Sequence, residues 1–200
     1  MKSIKSLNIS LVIAILLTSC QTNELRIPNG EAIELNNVLS TEEWSTAKVY
    51  NIHDSLRIRM QQDSKHLYVA IDFDQVDLNE YRWVELYIND FEKSYRFHAS
   101  GQLGEQYLRP PSWSENWNWG NNIKGTASTQ RLADEDRKSS TNQAYEFRFE
   151  KEKFKSKELR IYLHAFSINA KASFDARPKE TQFPSNLDRY QADTWLAFSL

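Results

Sequence analysis

From about residue 56 onward the chain alternates apolar and polar residues with a period of two. In "SLRIRMQ", Leu56, Ile58 and Met60 are separated by Arg57, Arg59 and Gln61. In "HLYVAIDF", Leu67, Val69, Ile71 and Phe73 form one face, with Tyr68, Ala70 and Asp72 on the other. The same habit returns in "WVELYIND", "SYRFHAS", "AYEFRFE" and "LRIYLHAF", and "TWLAFSL" closes the chain as a last strand. Successive side chains of a strand point to opposite faces, so such runs between polar or Gly-containing turns predict an antiparallel β-sandwich or barrel. Two short helical candidates interrupt the pattern. "STEEW" (Ser40 to Trp44) offers a Ser cap with Glu43 three residues on, and "EKEKF" lies near Phe154.

Two segments fall outside the rhythm. "RLADEDRKSSTNQ" (131–143) is charged and aperiodic, and it reads as a solvated hairpin tip. Gly101 to Gly125 reads as a connection of unusual length, and long connections in compact domains tend to carry function. It contains "SWSENWNWG", which places Trp113, Trp117 and Trp119, three of the six tryptophans, in one polar stretch.

The N-terminus is of another kind. Lys2 and Lys5 precede "LVIAILL" (Leu11 to Leu17), an apolar run too short to span a bilayer, as in a secretory signal peptide. It ends in "LTSC", which resembles a bacterial lipobox and implies cleavage before Cys20 and lipid attachment to its sulfur. Residues 1–19 are thus expected to leave, residues 20–30 to act as a tether, and residues 31–200 to form the domain. With one cysteine, an intramolecular disulfide is excluded. Two of the 25 Lys and Arg leave with the signal segment, against 27 Asp and Glu, so the mature net charge is about −4. That balance speaks against a nucleic-acid partner and leaves membrane attachment to the lipid. The expected location is the cell envelope, at the outer membrane in a Gram-negative host.

"IELNNVLSTEEWSTAKVYNI", with Glu43, Trp44 and Ala47, resembles the opening of carbohydrate-binding module family 9-like domains, which belong to the wider DOMON-type group of sandwiches. "KHLYVAIDFDQ" is similar to the family's "LYVA" strand, and "WVELYIND", with Glu85 and Asp90, to its "VE-x-x-I-D" strand. "YRFHASGQLGE", "AYEFRFEKEKF" and "FPSNLDRYQADTWLAFSL" match later strands and the closing pattern. The resemblance runs from about Ile33 to the end. It implies an all-β, antiparallel sandwich of jelly-roll or immunoglobulin-like kind, sugar binding by aromatic residues, in some members a structural calcium, and in the wider group haem. A polysaccharide-processing protein is the partner such a module would serve. The tryptophan loop follows no family pattern that aligns residue by residue.

Sugar recognition asks for flat aromatic faces against the C–H face of a pyranose and polar groups around the rim. The loop supplies both, with Ser112, Ser114, Glu115, Asn116 and Asn118 among its indoles. On one extended segment Trp117 and Trp119 would share a face about 7 Å apart, as a platform or the sides of a slot. The alternative is that one or more of these rings plugs the open end of the sandwich. Trp44 and Trp195 are expected in the core. Trp83 shares a face with Glu85 and Tyr87, and Arg96 and His98 are candidates to project from the same sheet. An Arg beside a Glu and an aromatic face can hold hydroxyls, or form only a cross-strand ion pair. The expected binding residues are therefore Trp113, Trp117, Trp119, Trp83, Glu85 and Arg96, with no metal site assigned.

Catalysis finds no support. A glycosidase needs two carboxylates at a defined separation, and no acidic pair stands out. No G-x-S-x-G, H-E-x-x-H or phosphate-binding glycine loop occurs. Met60 and His164 are the pair to consider for haem, but the parity of their strands favours structural roles. The competing reading from another class is a lipid-anchored adaptor whose exposed rings dock a protein.

Overall fold

The computed structural model describes residues 25–36, 39–53, 56–73, 80–100, 102–109, 112–114, 116–119, 124–126, 143–169, 173, 176–185 and 187–200. The signal segment, Cys20 and most of the charged stretch at 131–143 lie outside the described residues.

The alternating runs become strands, and their apolar faces meet. Among the described residues there are fourteen strands: β1 (Leu25–Arg26), β2 (Lys48–His53), β3 (Leu56–Gln62), β4 (His66–Phe73), β5 (Glu80–Asn89), β6 (Ser94–Ala99), β7 (Leu103–Arg109), β8 (Ser112–Trp113), β9 (Asn118–Trp119), β10 (Lys124–Thr126), β11 (Gln143–Glu150), β12 (Glu158–Asn169), β13 (Lys179–Phe183) and β14 (Leu196–Ser199). They form two sheets. The larger runs β1-β14-β12-β5-β6-β7-β8, with β13 also on β12 and β9 also on β7. The smaller runs β10-β11-β4-β3-β2. All pairs are antiparallel except β1 with β14. The chain is an all-β sandwich.

One core lies between the sheets. The smaller sheet contributes Ile58, Met60, Val69, Ile71, Phe147 and Phe149, and the larger contributes Leu86, Ile88, Phe97, Ile161, Leu163 and Phe198, all buried. Each large apolar side chain taken wholly out of water contributes about 1.5–3 kcal/mol. The register makes the alternation effective. Ile161, Leu163 and Ala165 of β12 pair with Ile88, Leu86 and Val84 of β5, so the facing positions point inward together. A slip by one residue would turn every one of them to the other face.

Several expectations change. The helix at Ser40 is a turn: Ser40 Oγ accepts from the Glu43 backbone N–H at 3.0 Å, and the chain leaves within two residues of Trp44 toward β2. The "EKEKF" candidate is a single 3-10 turn, Lys151–Lys153, and a second such turn at Ala192–Thr194 precedes the closing strand. Residues 25–30, expected as part of a tether, belong to the fold. Leu25–Arg26 pairs with β14, Ile27 is buried, and Gly30 N donates to Gln62 O at 2.8 Å. The long connection after Gly101 is also largely paired, through β7, β8, β9 and β10.

Trp44 is buried as expected, yet outside the inter-sheet core. With Ile33 it covers Tyr68 and Ala70 on the outer face of the smaller sheet. Its indole N–H reaches Glu146 Oε1 at 3.3 Å. Asp90 has a structural explanation too. Its carboxylate accepts backbone N–H groups of Lys93 at 2.7 Å and Lys155 at 3.0 Å, tying the β5–β6 turn to the segment after β11. Among the described residues no helix is long and apolar enough to cross a membrane.

Candidate functional site on the outer face of the larger sheet

The residues that do not point into the core collect on the outer face of the larger sheet. Antiparallel pairing sets Tyr87 opposite Arg96 and Glu85 opposite His98. It also sets Arg96 opposite Gln106 and His98 opposite Gly104. On the other side of β5, Tyr87 meets Tyr162, Glu85 meets His164, and Trp83 meets Phe166. The sequence parity of Trp83, Glu85, Tyr87, Arg96 and His98 thus leads to one surface.

Glu85 is the centre of that surface. It is 5% exposed. One carboxylate oxygen accepts from Arg96 Nη2, and the other accepts from the Tyr87 hydroxyl at 2.6 Å. Arg96 Nη1 also donates to Gln106 Oε1 at 3.2 Å, and Gln106 Nε2 donates to the Ser114 carbonyl at 2.9 Å. A buried carboxylate is tolerated when its charge and lone pairs are met in this way. The chain of bonds ties the sheet to the tryptophan segment. Burial, and next the Glu85 charge, hold the Tyr87 hydroxyl well above the ordinary tyrosine range, so it stays protonated and donates.

The tryptophans divide. Trp113 is 8% exposed and packs edge-on against Tyr87 at 5.4 Å, in a cluster with Tyr162 and Trp195. It is a packing residue of the outer face. Trp195 joins the same cluster, with its indole N–H on the Asp188 carbonyl at 3.0 Å. Trp117 and Trp119 instead stack on each other, with centroids 5.2 Å apart and planes 26° apart. Stacked in this way, the two rings leave no slot between them. The Arg96 guanidinium lies 4.7 Å from the Trp117 ring centre, so the order is cation, indole, indole. His98 meets both rings edge-on, at 5.6 and 5.7 Å. Trp119 is 44% exposed.

Gly104 is what permits this arrangement. A Cβ there would stand 2.7 Å from Trp119 Cζ3 and 2.8 Å from Trp117 Cε3. The indoles therefore lie directly on the backbone of β7. Beside them is a cleft of about 660 Å³ lined by Tyr107, Ser112, Trp113, Ser114, Asn116, Trp117 and Asn118. The short polar side chains read in the sequence border the rings.

Trp83 is half-buried and stacks on Phe166, with centroids 4.9 Å apart and planes 6° apart. Residues the sequence did not nominate for sugar binding complete this half of the surface. His164 is nine-tenths buried, meets Phe166 at 4.0 Å between centroids, and has Nε2 3.0 Å from Glu180 Oε2. Burial lowers the pKa of both His98 and His164, so both are neutral near pH 7. Tyr162, His164, Phe166, Glu180, Gln182, Leu187, Asp188 and Arg189 line a second cleft, of about 340 Å³. No one-dimensional signal marks these residues, because they converge only through strand pairing and the loop before β14.

The haem pair does not meet. Met60 lies in the inter-sheet core while His164 stands on the outer face. Among the described residues no group of three or more His, Cys, Asp or Glu is placed to hold a metal ion.

No family model and no curated protein matches the chain. Among solved structures, it is similar to a carbohydrate binding module of family 9 from Caldicellulosiruptor kristjanssonii, solved in complex with cellotriose. Identity is 10%, the match covers 80% of this chain and 82% of that chain, and the TM-score is 0.42.

Proposed function

We propose that the protein is a non-catalytic carbohydrate-binding module that receives a saccharide on Trp119. The observation that carries this is the Arg96–Trp117–Trp119 stack, which holds a flat aromatic surface rigidly at the edge of a polar cleft. A pyranose has one apolar C–H face and a rim of hydroxyls, so a fixed indole with Ser and Asn around it suits both parts. A Kd between 1 mM and 1 μM needs only about 4–8 kcal/mol. Glu85 and Arg96 act from beneath, by positioning Trp117. Both oxygens of Glu85 are already held by Arg96 and Tyr87, which suits an anchoring carboxylate rather than an acid or base in turnover.

The signal segment and the lipobox-like "LTSC" extend the proposal: lipid on Cys20 would hold the module at a bacterial envelope membrane. A polysaccharide-processing protein there would gain substrate from a module that holds saccharide without altering it.

Tryptophan fluorescence of the protein, titrated with mono- and oligosaccharides beside a Trp119→Ala variant, tests the sugar site. A saturable change that the folded variant lacks is expected. No response to any saccharide would refute the proposal and favour the adaptor reading. Incorporation of labelled palmitate that is lost in Cys20→Ser tests the anchor, and equal labelling of both forms would refute it.

A further inference from the structure

The cleft beside the tryptophan pair lies at the edge of the larger sheet. Strand β8 pairs with β7 at Leu108 and Arg109, and β9 pairs with it at Gly104 and Glu105, which leaves Gln106 and Tyr107 between them. Trp113, Trp117 and Tyr107 supply the rings of its lining. Trp113 is 8% exposed, and its indole N–H has no hydrogen-bond partner among the described residues. The other two buried indoles are satisfied, Trp44 by Glu146 and Trp195 by the Asp188 carbonyl. Buried polar atoms are rarely left without partners, so an unmet donor on a residue that lines a cleft points to an acceptor from outside. An atom so enclosed is reached by a single oxygen rather than by a sugar ring.

Two of the cleft's rings carry a cation. The Arg96 guanidinium lies 4.7 Å from the Trp117 ring centre, and its charge is matched by Glu85. The Lys93 ammonium lies 4.5 Å from the Tyr107 ring centre and has no carboxylate in ion-pair contact among the described residues. Glu105 of β7 is 3% exposed and is held by Lys153 at 2.7 Å. No Asp or Glu among the described residues lines the cleft. Glu115, between Ser114 and Asn116 in the chain, lies outside the described residues. Lys93 thus stands as the cation without a partner, and its field crosses an aromatic ring rather than water, which strengthens its hold on an anion.

We infer that the saccharide bound here is acidic, and that its anionic group, a uronate carboxylate or a sulfate ester, enters this cleft while a pyranose face rests on Trp119. One anionic oxygen accepts from the Trp113 indole N–H, and Lys93 balances the charge. A hydrogen bond to an ionised acceptor is about twice as strong as one between neutral groups, so the two contacts select an anion over a neutral hydroxyl. This rests on the saccharide reading above and specifies the chemical class of the ligand.

The test is calorimetric titration of the full chain with two matched pairs: tetragalacturonate and its methyl ester, and a sulfated galactose tetrasaccharide and its desulfated form. In at least one pair the acid should bind about 10-fold or more tighter than its neutral form, and the advantage should shrink as salt is raised from about 50 to about 500 mM. An advantage confined to one pair assigns the anion to the carboxylate or to the sulfate. Lys93→Met, at an exposed position, and Trp113→Phe, which keeps a ring and removes the N–H, should each bring the acid down toward its neutral form. Lys179→Met on β13, whose parent side chain is 84% exposed, should leave the advantage in place. Equal affinity for acid and neutral forms, binding of neutral saccharides alone, an advantage that survives either of the first two variants, or an equal loss in Lys179→Met would overturn the acidic ligand and leave the Trp119 site standing. Absence of binding to every saccharide, acidic or neutral, would overturn both.

Discussion

Substituting Gly104 by Ala separates the aromatic platform from the fold that carries it. The new Cβ would lie 2.7 Å from Trp119 Cζ3 and 2.8 Å from Trp117 Cε3. Carbon atoms rest at about 3.5–4.0 Å, so the ring pair must retreat by about 1 Å. In a closed core such overpacking costs about 1–3 kcal/mol. Here Trp119 is already 44% exposed, and the rings can lift toward solvent. The lift weakens the Arg96 contact with Trp117, worth about 0.5–2 kcal/mol, and the fit of both rings on His98. Against this, Ala in a strand gains about 0.5–1 kcal/mol over Gly. The global stability of Gly104→Ala should therefore stay within about 1 kcal/mol of the parent in urea unfolding, because the two effects oppose. Its tryptophan fluorescence and near-ultraviolet dichroism should change, and saccharide affinity should fall about 3- to 10-fold, as the loss of one aromatic contact implies. Unaltered spectra and affinity would refute the seating of the rings on β7. A loss of more than about 3 kcal/mol would show them to be part of a closed core instead.

Other substitutions sort the remaining residues. Trp119→Ala should leave urea stability within about 0.5 kcal/mol, whereas Trp113→Ala should cost about 3–5 kcal/mol; equal losses would refute the division between platform and packing. Glu85→Gln removes the charge that balances Arg96 and should destabilise by about 3 kcal/mol in chemical unfolding, with altered Trp117 fluorescence; a variant as stable as the parent would refute the anchoring role. Burial depresses the pKa of His98 and His164, so the unfolded chain binds protons first. Their contribution is complete above the unfolded value of about 6.5 and is lost as pH falls below it. The melting temperature should therefore drop between pH 7.5 and 5.5, less so in a His98→Gln, His164→Gln double variant, and an identical pH dependence in the two proteins would refute this.

Strand existence, strand faces and the inward set of the core were legible in the sequence, because side-chain direction in a strand has a period of two and one buried face enforces it. Parity alone set Trp83 and Glu85 on one face and made Arg96 a candidate for the same sheet, and their strands do pair so as to share a surface. The tryptophan segment was conspicuous by composition, but its division was not legible. Trp113, Trp117 and Trp119 sit in nearly identical polar surroundings along the chain, yet one is buried against Tyr87 and another is 44% exposed. What separates them is the register of β8 and β9 on β7, with Gly104 beneath the stacked pair. The turn at Ser40 has the cap of a helix, but the chain turns into β2 before a second helical turn can form.

The local alternation of residue types by itself determined that this protein is all-β, as a sandwich or a barrel, and which residues of each strand share a face. Only the tertiary structure decided that His164 and Phe166 share a sheet face with Trp119. That surface crosses the strands, so its members are neighbours through hydrogen-bonded pairing between segments far apart in sequence. Register across five strands is set by the packing of the whole core and has no counterpart in any local pattern.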